Sequence, residues 1–335
     1  MFYYNNLLNP GLVKFLSKAL QKKEISSNDI KLHPLTLRKY VDQLYKNGLL
    51  LIISEKPLRV KVFYNTLLNN LLIYFGYKHK VITEDTTSYL EEIEKELTKF
   101  RRLKRDNEVK YQQIIDDFEV SFIHHSLSLE GNPITLNETK RILRDKIIPA
   151  NLRSKDIDEV KNYQKAFLQM LKDSQEKKPL TLQTILDYHH LAMQHDLDIA
   201  GKIRKIEVHI SGNPNFKITK AENIEKELEE LIKRYGNFIK NEKTDLKEIL
   251  AFAVYFHNEF QHIHPFEDGN SRTTRVITFH LLQSKGIPIL DVPYGLLDEY
   301  VSYTKGSRTR EDQKLFSNLQ KIILYNLKKI NERLS

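Results

Sequence analysis

Apolar residues Leu37, Tyr40, Val41 and Leu44 recur at helical spacing after Pro34, with Gly48 behind them as a stop signal, and predict a helix over residues 35–47. A run at 49–53, turn residues at 54–57, and Leu58, Val60, Val62 and Tyr64 alternating with Arg59, Lys61 and Phe63 predict a strand hairpin. A short helix is expected near Ser27. Residues 84–117 are densely charged, with apolar positions three and four apart, and predict long helices. Farther on, Ile206, Val208 and Ile210 alternate strictly, turn residues follow at 211–214, and then come Phe216 and Ile218; this predicts a β-hairpin inserted among helices. Asp245 and Glu248 form a capping box ahead of an apolar face made by Leu246, Ile249, Leu250, Ala253, Phe256 and Phe260. That helix should end near His262, because Pro265 disfavours helical geometry at His264. Ser271 is the expected cap of a further helix that turns Val276, Phe279 and Leu282 inward and stops at Gly286.

Helix, short helix, helix and hairpin resemble, in order alone, a winged helix-turn-helix domain over the first 65 or so residues. Charge sharpens that boundary. Residues 1–80 hold 13 Lys and Arg against 4 Asp and Glu, and the rest of the chain balances at 40 against 40, so all of the net +9 sits in the first quarter. An excess confined in this way points to a polyanionic partner for that part alone. The candidates there are Lys31, Arg38, Lys39 and Lys46 for phosphates and Thr36 and Arg38 for base edges. DNA and a protein surface, the latter for target docking or for a homodimer, stay open as the partner. The 335 residues are 40% hydrophobic and 29% charged, which suits one large and one small globular domain. No apolar stretch approaches the roughly twenty residues needed to span a bilayer, and the first residues lack a signal pattern. The expectation is a cytoplasmic protein with no membrane partner. With no cysteine, disulfide and thiolate chemistry are excluded. His257 and His262, five apart, share no helix face, and a zinc site is not expected. Nor is a GxxxxGK(S/T) phosphate loop present.

The chemistry concentrates at HPFEDGNSRTTR, residues 264–275. His264 stands beside the mouth of a helix where the amides of Gly269, Asn270 and Ser271 and the helix dipole favour an anion. Arg272 and Arg275 lie three apart, on one side of the first turn, where two guanidinium forks can grip phosphate oxygens. Cations there oppose the dipole, so only a bound polyphosphate reverses the sign of their contribution. Asp268 offers a hard oxygen for Mg²⁺. A neutral imidazole can take the proton of an incoming hydroxyl.

This segment resembles the Fic signature HxFx(D/E)GNxRxxR at every fixed position. The resemblance implies that His264 is the general base, Phe266 anchors the loop, Asp268 carries the metal, and Gly269, Asn270, Ser271, Arg272 and Arg275 hold the phosphates. One position departs: Ser271 stands where the family usually has glycine, and its side chain narrows the phosphate approach. Upstream, SLSLEG at 126–131 resembles the (S/T)xxxE(G/N) inhibitory motif of the same family, and implies that Ser126 and Glu130 block the site by pairing Glu130 with Arg275. Taken alone, a carboxylate among arginines mimics a phosphate. The segment at 204–218 resembles the family's flap, which aligns a target by strand addition.

The chain is therefore expected to be mainly α, a Fic helical domain with an inserted β-hairpin flap, preceded by a small winged helix-turn-helix domain. The expected division is 1–80, a connecting helical region at 81–118, and a catalytic domain at 119–335. The implied function is a protein adenylyltransferase that moves AMP from Mg-ATP to a protein Ser, Thr or Tyr hydroxyl, self-inhibited by Glu130. Two alternatives stand beside it: a hydrolase that removes AMP with the same centre, and a DNA-binding regulator that senses nucleotide. Tyr300 and Tyr303 fit either a base pocket or ordinary core packing.

Overall fold

The computed structural model describes residues 9–20, 22, 24–63, 66–77, 87–210, 213, 216–288, 291–304 and 310–335. Its first helices are α1 (Pro10–Ala19), α2 (Pro34–Lys46) and α3 (Thr66–Tyr74), with strands β1 (Ile25–Ser26), β2 (Leu50–Glu55) and β3 (Leu58–Val62). Then follow α4 (Leu90–Asp106), α5 (Glu108–Ser128), α6 (Leu136–Lys140), α7 (Ser154–Gln175), α8 (Leu182–Ala192) and α9 (Ile224–Lys240). The last are α10 (Leu246–Ile263), α11 (Asn270–Ser284), α12 (Tyr294–Ser302) and α13 (Asp312–Leu334). No helix among the described residues is long and apolar enough to cross a membrane. The chain divides into two compact units, Met1–Ser88 with Pro293–Tyr300, and Tyr89–Val292 with Val301–Ser335.

In the first unit the predicted helix and hairpin form as α2 and β2–β3. The short helix expected near Ser27 is a single 3-10 turn, Ser27–Asp29, closed by a capping box between Ser26 and Asp29. The sheet is antiparallel in the order β1-β3-β2, and Leu50 faces Val62 while Ile52 faces Val60. Leu37, Tyr40, Val41 and Leu44 pack onto Leu12, Val13 and Leu16 of α1 and Val60 of β3. Tyr64, the last residue of the predicted alternation, lies outside the described residues. Arg38, expected to reach base edges, instead pairs with Asp42 at 2.8 Å and with Glu55 of β2. Its fork is occupied by its own unit's carboxylates. Tyr300 is buried and falls with this unit.

The second unit is a helical bundle built around α11, in which every residue from Asn270 to Leu282 is buried. A helix buried on all sides needs neighbours all round, and α11 packs against α5, α7, α8 and α10. The C-terminal α13 lies along α4, fastened where Asn331 donates to Glu96 and where Gln320 accepts from the Tyr89 N–H at 2.9 Å. Position 119, where the catalytic domain was expected to begin, lies inside the unbroken α5.

No strand forms at residues 204–210 or 216–218, where a hairpin was expected, and residues 211, 212, 214 and 215 between them lie outside the described residues. Both arms instead bond to the end of α10 and the residues that follow it. The Arg204 N–H donates to Pro265 O at 2.9 Å, and the Thr219 N–H donates to His262 O at 2.9 Å. Alternation in the sequence did not become one buried face here, since Ile206 is 55% exposed while Ile210 is buried.

Candidate functional site

The Asp245–Glu248 capping box forms as predicted and opens α10. That helix ends at Ile263, and His264 caps it at φ +49°, a left-handed conformation uncommon outside glycine. His264 Nδ1 lies 3.3 Å from Gln261 O. A carbonyl oxygen can only accept, so Nδ1 carries the proton and the neutral ring keeps its lone pair on Nε2.

The loop that follows is held from within. Asn270 accepts from the Phe266 N–H at 3.0 Å through Oδ1 and donates to Phe266 O at 2.7 Å through Nδ2, so its side chain closes the loop. Gly269, at φ +77°, precedes α11 as its cap; Ser271, the expected cap, lies inside the first turn. The reason is steric as well as conformational. A Cβ on Gly269 would lie 2.9 Å from Met193 Sδ and 3.0 Å from His189 Nε2. Thr274 Oγ1 donates to Asn270 O, and Gln261 Nε2 donates to Thr274 Oγ1, tying α11 back to the residue that orients His264.

His189, on α8, supports the same loop from outside. Its ring stacks on Phe266 with centroids 3.7 Å apart and planes at 7°. The Gly201 N–H donates to its Nδ1 at 2.8 Å, so Nε2 carries the proton and donates to Asp268 O at 3.0 Å. Burial pushes its pKa down to about 4, which keeps this bridge neutral. The stacking depends on a fold contact between α8 and a loop far along the chain, so nothing local in the sequence announced it. Among the described residues no group of three or more His, Asp or Glu converges as a metal site.

Arg272 and Arg275 are 4% and 3% exposed in the first turns of α11. Arg272 Nη2 meets Asp268 Oδ2 at 2.8 Å, while its Nε is buried with no hydrogen-bond partner among the described residues. Asp268 Oδ1 accepts from the Gly269 N–H at 2.6 Å. Arg275 Nε donates to Ser126 Oγ at 2.5 Å, and its Nη2 donates to Ser126 O and Glu130 Oε1, both at 3.0 Å. The motif at 126–131 and the motif at 264–275 therefore meet through Arg275. Tyr163, which the sequence reading missed, joins them again: its hydroxyl accepts from Ser126 Oγ at 2.8 Å and donates to Arg272 O at 3.2 Å. Burial raises its pKa, so the phenol stays protonated and can donate.

Glu130 follows the end of α5, where Gly131 at φ +89° turns the chain and the Asn132 N–H closes on Leu127 O. Asn132 is of a residue type common in turns. Its side chain in fact donates to Asp156 O at 3.1 Å and Glu159 at 2.9 Å and accepts from the Ile134 N–H, locking the turn to α7.

Residues 179–282 match the model of the Fic/DOC family. Over 188 residues the chain is 26% identical to Protein adenylyltransferase Fic of Drosophila grimshawi, covering 55% of this chain and 37% of that protein. The counterpart of Drosophila melanogaster is 27% identical over 184 residues, covering 55% and 36%. The match thus spans little more than a third of those relatives' length. Among solved structures, a Fic domain containing signaling protein from Bacteroides thetaiotaomicron shares the fold with a TM-score of 0.63 at 20% identity, covering 74% of this chain and 98% of that one. Fic-1 (residues 134–508) from C. elegans gives a TM-score of 0.58 at 18% identity, covering 79% and 77%.

Proposed function

Starting from a chain that carries a Fic domain, we propose that it moves the AMP group of ATP onto a Ser, Thr or Tyr hydroxyl of a protein. His264 Nε2 takes the hydroxyl proton as the oxygen forms a bond to the α-phosphorus. The bond from that phosphorus to the oxygen bridging the α- and β-phosphates breaks, and pyrophosphate leaves with that oxygen. Positioning and charge neutralisation carry most of the acceleration.

The observation that carries this reading is the burial of two guanidinium groups in the first turns of the helix that follows the His264 loop. Their charge opposes the helix dipole there and is costly to bury. Asp268 and Glu130 supply carboxylates where phosphate oxygens fit, and Arg272 Nε still lacks an acceptor among the described residues. A triphosphate supplies what that pocket lacks. Glu130, engaged on Arg275, occupies one phosphate position, which makes the resting chain self-inhibited.

Mg²⁺ is held chiefly by substrate phosphates with one or two carboxylates, and Asp268, whose side chain is 66% exposed, fits that limited role once Arg272 turns to a phosphate. When bound, the ion neutralises phosphate charge. The chain's own residues do the rest: Arg272 and Arg275 grip the outer phosphates, the α11 amides orient the inner ones, and His264 moves the proton.

Labelled ATP tests the reading. With Glu130→Gly, label in the α-phosphate becomes fixed to protein and label in the γ-phosphate does not. Fixation of the γ-label instead shows phosphoryl transfer and ends the AMP proposal. A chain that strips α-label from a modified protein, and loses that ability with Glu130→Gly, is the hydrolase. For the first unit, its excess of cations supports an anionic partner on α2, where Lys39 and Lys46 are exposed. A DNA mobility shift lost in the full-length Lys39→Glu/Lys46→Glu variant and kept in His264→Ala identifies that partner as DNA.

A further inference from the structure

Arg204 is among the largest fully buried side chains of the described residues, and none of its donors faces solvent chemistry. Its Nε donates to His264 O at 2.7 Å, Nη1 to Ile206 O at 2.8 Å and Nη2 to Thr219 O at 2.5 Å. Its own N–H donates to Pro265 O. The nearest carboxylate oxygen, on Glu207, is 3.7 Å away on a side chain that is 62% exposed. A cation buried without a buried partner is a costly way to fasten a fold. A neutral amide makes one such bond at lower cost. What only a guanidinium supplies is a planar fork that reaches three carbonyls from three stretches of chain at fixed angles.

Those stretches are the two arms of the 204–219 segment and the carbonyl of His264. His264 sits at φ +49°, a conformation that persists only where its surroundings impose it. The bond from Arg204 Nε fixes the peptide plane that leaves this residue. The second arm grips the same stretch: His262 Nδ1 donates to Lys217 O at 3.0 Å, and the His262 ring stacks on Phe216 at 4.5 Å.

We propose that Arg204 is a positioning residue for the transfer: it clasps both arms of the 204–219 segment to the backbone of His264, and so holds in a fixed frame the base that deprotonates the target hydroxyl. This rests on the reading of His264 as general base. The tie gives the segment's side chains a second duty besides their own packing, since displacement of either arm displaces the imidazole.

The test uses the full chain with Glu130→Gly, a background that must first show α-label transfer; if it does not, the AMP reading has failed and not this one. In that background Arg204→Gln is expected to lower kcat about 100-fold, the loss that follows a misplacement near 1 Å. Binding of a non-hydrolysable ATP analogue should change less than about twofold, because Arg272 and Arg275 are untouched. Arg204→Lys keeps the charge and loses the fork, and is expected to remain defective. His262→Phe keeps the ring on Phe216 and removes the donor to Lys217 O, and should show a smaller fall in kcat with the analogue still bound. The proposal is overturned if Arg204→Gln keeps its kcat, if analogue binding falls in step with kcat, or if Arg204→Lys restores the rate. Should Arg204→Gln fail to fold, His262→Phe decides, and an unchanged kcat there overturns the proposal equally.

Discussion

Gly269 shows how one residue can be dictated by both backbone and neighbours. At φ +77° any Cβ is strained, and this one also meets Met193 and His189, the residue that carries the loop. Gly269→Ala should therefore cost about 1–3 kcal/mol of stability and disturb the amides that open α11. A thermal melt together with analogue binding checks it; an unchanged melting temperature with unchanged binding contradicts the role given to this turn. Phe266, fully buried under His189, makes a similar point for packing. Truncation to alanine should cost about 3–5 kcal/mol by chemical denaturation. Most residues of the candidate site were legible because each carries its own chemistry: an imidazole, two guanidinium groups, a carboxylate. His189 and Tyr163 were not, because their roles exist only through contacts 79 and 109 residues away in sequence.

At the scale of elements, the predicted helices at 35–47 and 245–262 form with their caps, since helical period and capping chemistry are local. The segment at 204–218 departs from its expected hairpin because its hydrogen bonds go to residues 262–265, a choice made by tertiary structure over local alternation. The turn after α5 has a consequence for regulation. Glu130 reaches Arg275 from a turn that Asn132 pins to α7, so Asn132→Ala should free the carboxylate without removing it. Basal α-label transfer should rise at least several-fold, since the three side-chain hydrogen bonds that hold the turn are each worth about 1 kcal/mol, and stay below the level of Glu130→Gly. Equal rates for Asn132→Ala and the unaltered chain mean that the turn does not hold the inhibitor.

For the molecule as a whole, the second unit keeps several imidazoles in its interior. Burial pushes His124, His189, His257 and His280 each down to about 4. With folded values below the unfolded value near 6.5, the unfolded chain takes up protons first as the pH drops. Stability is therefore complete above about pH 6.5, falls between 6.5 and 4, and levels off below, with up to roughly 3 kcal/mol at stake for each ring. Thermal melts from pH 7.5 to 5 should show this decline, and His280→Phe should flatten it; a melting temperature that rises on acidification contradicts it. The division into units was only partly visible in sequence, because residues 293–300 belong with the first unit although more than two hundred residues separate them from it. What unites these scales is a buried pair of arginines held by carboxylates. The most direct measurement is the intact mass of Glu130→Gly and of Glu130→Gly/His264→Ala after incubation with Mg-ATP and a hydroxyl-bearing acceptor protein. The predicted result is an added AMP on enzyme or acceptor with the first variant and none with the second; no added mass with the first, or equal addition with both, contradicts it.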